Sequence, residues 1–249
     1  MKRRLCVAAA VAALLAAGVA GQLFLARQRP GSAPVVGESF VAALGGLRTL
    51  AAEVVWFRAD RLQDEGRFGE LVQLARLLTF LEPHEPEVWN YSAWNLAYNI
   101  SVRMPREKDR WPWVHEAVRL LRDEGLRWNP HSAKICRELA FIFELKIGAN
   151  YDTASPMYRE EWRKVVEDVA ARNAWAEIGM DPEEMRRLER LHGIDDWGNP
   201  QASAIYWATH GLATADEDDV RFLKETIRQS KVLYSKKPGA GPRKGPKGR

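Results

Sequence analysis

AEVVWFRADRLQDEGRFGELVQLARLLTFLEP, Ala52 to Pro83, reads as two helices folded back on each other at Gly66. Val54, Val55, Ala59 and Leu62 recur at helical spacing, and the run Asp64-Glu65-Gly66-Arg67 interrupts them. Phe68, Leu71, Val72, Ala75, Leu78 and Leu81 resume the period until Pro83 stops it. The chain on either side extends this pair. Upstream, a helix from Ser39 with Phe40, Val41, Leu44, Leu47, Leu50 and Val54 on one face is expected to run into the first helix. Gly45-Gly46 inside it costs about 1 kcal/mol per glycine relative to alanine, which points to a kink or a close helix approach.

Downstream, Pro86 opens a helix with Trp89, Ala93, Leu96, Ala97 and Ile100 on its apolar side, followed by a second helix from Val114 to Trp128 that ends at Asn129-Pro130. A third pair follows. Its first helix is capped by Ser132, buries Ile135, Cys136, Leu139, Ala140 and Phe143, and ends at Gly148; its second runs from Pro156 to Ala176 with Ser155 as cap. Small residues at Ala59 and Ala93, bulky Trp89, the glycine turn before Phe68 and the terminal prolines resemble a tetratricopeptide repeat. The resemblance covers 52–176 and implies an all-α solenoid of three to four irregular antiparallel helix pairs. Pro83 and Pro130 lie 47 residues apart, against about 34 in that family, so an inserted loop is expected at 103–113, RMPREKDRWPW. Its two tryptophans either pack back on the neighbouring repeat or meet a partner or membrane interface.

Residues 177–234 read as a C-terminal cap or degenerate repeat: a short helix from Asp181-Pro182 to His192, an apolar helix after Pro200, and a last one from Asp216–Asp219 to Leu233. Residues 235–249, SKKPGAGPRKGPKGR, read as a disordered basic tail. The net charge of +4 comes from Lys231, Lys236, Lys237, Arg243, Lys244, Lys247 and Arg249; without them the chain is slightly acidic, which argues against a nucleic-acid surface on the folded part.

At the other end Lys2, Arg3 and Arg4 precede Leu5–Ala26, an apolar run of the length that spans a bilayer. Residues 1–26 are therefore expected to be a short cytoplasmic segment and one transmembrane helix, with 27–38 a Pro- and Gly-containing linker. A cleaved signal peptide ending near Gly18-Val19-Ala20 is the competing reading; either places the helical domain outside the cytoplasm. The phrases WNLAYNIS, LLRDEGLRWNP and IYWATHGL are also similar to bacterial membrane proteins with one N-terminal span and a tetratricopeptide-like domain. That resemblance implies a single-pass protein of the bacterial inner membrane.

In the tetratricopeptide architecture the first helix of each pair lines a concave groove that holds extended peptides. The resemblance places Trp56 and Asp60, then Asn90, Trp94 and Tyr98, then Lys134, Arg137 and Phe141 along it. Aromatic, amide and cationic groups suit a peptide or a glycan through stacking and backbone hydrogen bonds; the same aromatics also suit plain helix packing. Family members that clamp a C-terminal carboxylate use a Lys, Asn and Arg set, of which only Lys134 is approximated here. His84, His115, His131, His192 and His210 lack metal-ligand spacing, Cys6 and Cys136 suggest neither disulfide nor metal, and no phosphate loop or catalytic elbow occurs. The expectation is a partner-binding scaffold of the cell envelope with no cofactor, no metal and no chemistry of its own. The alternative is an envelope glycan-binding or glycan-cleaving protein working at Trp94 and Tyr98.

Overall fold

The computed structural model describes residues 36–150 and 152–235, all helix and connecting turns with no strand among them. The expected anchor, most of the linker and the tail after Ser235 lie outside the described residues. Among the described residues no helix is long and apolar enough to cross a membrane.

Helix α1, Val36–Asp64, is continuous with the first helix of the opening pair and starts before the expected Ser39. Gly66 takes φ 68°, the left-handed conformation that lets the chain reverse, and the Arg67 amide donates to Leu62 O at 2.9 Å. Helix α2, Phe68–Leu81, then packs back on α1. Ala52, Ala59 and Leu62 of α1 meet Leu71 and Leu78 of α2 in a small cluster that Val88 closes. Val54, expected to share this side, is on the opposite one and largely exposed. It stands about 200° from Ala52 around the helix, so burying Ala52 and Ala59 turns it outward.

Helix α3, Pro86–Trp94, carries its proline in the first turn, where the missing N–H has no intrahelical acceptor to lose. Its second half, Asn95–Ile100, winds in wider i→i+5 turns. So do Leu120–Gly125 after α4, Trp111–Arg119, and Ile142–Gly148 after α5, Ala133–Phe141. These wide turns advance the side chains by less than 100° per residue, so the apolar period slips without breaking the helix. The loop expected at 103–113 is shorter than that range. Arg103 ends a 3₁₀ turn, Glu107–Asp109 form another, and α4 begins at Trp111 because Pro112 fits its first turn. Both tryptophans of the loop pack against the main core.

Ser132 caps α5 as expected, accepting from the Ile135 amide. Ser155 does not cap α6, Ser155–Ala171, but is its first residue; Asp152 accepts from the Ala154 amide at 2.8 Å in the turn that leads in. The helix also stops short of Ala176, at Ala171, and a 3₁₀ turn over Trp175–Ile178 follows. Asp181 and Asn199 cap α7, Pro182–His192, and α8, Pro200–Gly211. Helix α9, Glu217–Ser235, includes Lys231, which the sequence alone groups with the tail.

One hydrophobic cluster runs from Trp89 to Tyr234, so the C-terminal helices share a core with α3 to α6. Helix α8 is its centre: every residue from Gln201 to Ala208 is buried, with α5 and α9 packed along it. Its small residues Ala202, Ser203, Ala204 and Ala208 permit this approach, and Gly211 completes it. A Cβ at Gly211 would stand 2.9 Å from Cys136 Cβ and 3.2 Å from Leu223 Cδ1. Gly211→Ala is therefore expected to lose about 1–3 kcal/mol to overpacking, read as a lower urea midpoint with an unchanged slope.

Candidate binding face

Three of the residues expected in the groove meet directly, and Arg137 joins them through Phe222. On α3 and its wide-turn continuation, Trp94 and Tyr98 are stacked with ring centroids 4.3 Å apart. Phe141, at the end of α5, lies 6.3 Å from Trp94 at an interplanar angle of 18° and 6.2 Å from Tyr98. Phe222 of α9 extends the row, 6.0 Å beyond Phe141. The Arg137 guanidinium sits 4.5 Å from the centroid of Phe222 and donates to Asp219 at 2.8 Å. Asp219 is buried, and its partner holds the end of α9 against α5. A half-exposed arginine with one buried carboxylate on one side and a ring on the other has little freedom left.

Trp94 is 39% exposed and Tyr98 only 7%, so Trp94 is the open member of the stacked pair. Asn90 and Lys134 are joined one turn earlier: the Asn90 amide donates to Lys134 O at 3.2 Å, and Lys134 pairs with Glu87. Lys134 thus ties α5 to α3. Its ammonium is held above the ordinary lysine range, chiefly by that hydrogen bond to Glu87. The remaining two residues, Trp56 and Asp60 on α1, stay with the first pair. Trp56 meets the Tyr91 ring edge-on at 4.9 Å and donates to Glu82 at 3.4 Å. Asp60 is exposed, and its negative charge adds to the burial that raises the Tyr91 hydroxyl.

Two further features lay outside the expectation. Phe222 carries the row onto a third helix; its only sequence sign is the spacing of Asp219, Phe222 and Thr226 along one side of α9. Glu138 follows Lys134 by four residues and precedes Phe141 by three, the spacing that puts all three on one side of α5. Burial pushes its carboxyl up to about 7, against the pull of Arg137, and its Oε1 has no hydrogen-bond partner. Asn90 Oδ1 is likewise buried without a partner. Two orphaned acceptors thus flank the aromatic row, where each costs about 1–3 kcal/mol in desolvation.

Cys136 is buried and its thiol is pushed up to about 12, far from a reactive thiolate. Burial lowers His115, His192 and His210, and among the described residues no three His, Cys, Asp or Glu side chains group as metal ligands. Lys146, in the wide turns after α5, is fully buried and donates to Asp152 at 2.6 Å, with the rings of Tyr98 and Tyr158 5.4 and 5.5 Å from its Nζ. Comparison with protein families, with curated proteins and with solved structures finds no match for the chain.

Proposed function

We propose that the chain is a tetratricopeptide-like scaffold that holds an extended segment of a protein partner across the row Trp94, Phe141 and Phe222, beside Arg137 and Lys134. The apolar N-terminal run would anchor it in a bacterial inner membrane with the helical domain exported, where it supports assembly of an envelope complex. The observation that carries the reading is the aromatic row itself. It spans three helices distant in sequence and leaves Trp94 39% exposed. A partly open tryptophan beside two cations supplies the aromatic anchor that such a segment would need.

The test is capture from membranes of the full chain, crosslinked in the cell, against Trp94→Ala. Because Trp94 is partly open to solvent, its removal leaves the fold intact, as circular dichroism would verify. Loss of about tenfold or more of one specific protein is expected, the usual effect of truncating an aromatic hot spot. Equal recovery by both forms would rule the face out as the binding surface.

Glu138 supports a second reading. A carboxyl pushed up to about 7 is in part protonated at neutral pH, as a general acid in glycan cleavage must be, and sugars stack on exposed tryptophan. Solubilisation of cell-wall polymer by the full chain, abolished by Glu138→Gln, would favour that reading over the scaffold.

A further inference from the structure

The core of the first helix pair leaves one side of α1 uncovered. Leu50, Val54 and Phe57 are 51%, 70% and 75% exposed, while Ala52 and Ala59 on the opposite side are fully buried against α2. The exposed three are spaced four and three residues apart, and in the sequence the same alternation continues back through Leu47, Ala43 and Phe40. Six apolar positions in a 3,4 alternation are the a and d positions of a heptad: Phe40, Leu47 and Val54 at a, Ala43, Leu50 and Phe57 at d. A helix that faced lipid or solvent has no need of so narrow a period; a 3.5-residue repeat keeps one seam turned toward a second helix.

The flanking charges specify which helix. Glu53 falls at g and Arg58 at e of the next heptad, both exposed. In a parallel pair of identical helices, g of one chain faces the following e of the other, so Glu53 meets Arg58 of the second copy twice across the two-fold axis. Val54 at a with Leu50 at d is also the combination that favours two strands. Arg58 is drawn toward Glu70 of its own chain only at 3.9 Å, at the surface, where such a pair is worth little.

We propose that the chain forms a parallel homodimer through α1, with Leu50, Val54 and Phe57 at the seam and Glu53 paired with Arg58 of the second copy. This contact is independent of the aromatic row. It uses a different helix side and needs no third protein.

The test is oxidative crosslinking of the full chain in its own membranes, in a Cys6→Ser background that leaves only buried Cys136. Single cysteines at successive d positions, Leu50→Cys and Phe57→Cys, are expected to give a disulfide-linked dimer. Gln73→Cys, exposed on α2, should stay monomeric. Glu53→Arg should reduce crosslinking at Leu50→Cys severalfold, and adding Arg58→Glu should restore it. Failure of both d-position cysteines to crosslink, or crosslinking at Gln73→Cys to the same extent, would overturn the proposal. So would a Leu50→Cys chain that links only to a Val54→Cys chain, since an antiparallel pair sets d against a. Circular dichroism of each variant separates loss of contact from loss of fold.

Discussion

Asp152→Asn will destabilise the protein by about 3–5 kcal/mol, the cost of leaving a buried charge without its counter-charge. Lys146 is fully buried and Asp152 nearly so, at 0% and 13% side-chain exposure. The carboxylate also accepts from the Ala154 amide at 2.8 Å and from the Tyr158 hydroxyl at 3.4 Å, so it both neutralises Lys146 and shapes the turn into α6. Burial draws the Lys146 ammonium below the usual lysine range, while Asp152 pulls it back. Without the carboxylate only the first influence remains. In urea unfolding the single variant should lose most of its stability, whereas Lys146→Met together with Asp152→Asn should recover much of it, since a thioether chain fits between the Tyr98 and Tyr158 rings. A single-variant loss under about 1 kcal/mol would mean that Lys146 is neutral in the folded chain and that no ion pair exists there.

Glu138→Gln should have the opposite sign and depend on pH. The folded carboxyl is raised from 4.5 to about 7, so the native state holds a proton that the unfolded chain has released over that interval. The parent protein therefore has its full stability below pH 4.5 and loses part of it as pH rises through 7. At about 1.4 kcal/mol per pH unit, the loss reaches about 3 kcal/mol in neutral to alkaline solution. Glutamine carries no such burden. Parent and variant should unfold at nearly the same urea concentration at pH 4, and the variant should be the more stable by up to about 3 kcal/mol at pH 8. A gap independent of pH would show that Glu138 does not titrate as its burial dictates.

What could be read from the residues alone was mostly what is local. Pro86, Pro182 and Pro200 mark helix starts because a proline lacks the N–H that a first turn does not use, and Ser132 caps α5 through its own oxygen. Trp94 and Tyr98 stand one turn apart on one helix, a local relation, whereas only the tetratricopeptide resemblance set Phe141 beside them. Other features depend on contacts made far away in the chain. Ser155 looks like a cap until Asp152 takes the turn, and Val54 looks like core until α2 chooses Ala52 and Ala59. Phe222 joins Phe141 across 81 positions, and nothing in α9 alone distinguishes it from a residue of that helix's own amphipathic face. The wide turns are equally hidden, since their residues have ordinary helix propensity.

The enclosure of α8 sets how this molecule comes apart. Its amides lie inside a shell completed only by α9, so they have no route to water short of opening the whole cluster from Trp89 to Tyr234. The α1–α2 pair rests on its own smaller cluster, joined to the main body by Val88 and Tyr91 of α3 and by Val72 of α2. Two cooperative units of unequal strength follow, and the weaker one can melt and reform at the N-terminal end while the aromatic row stays assembled.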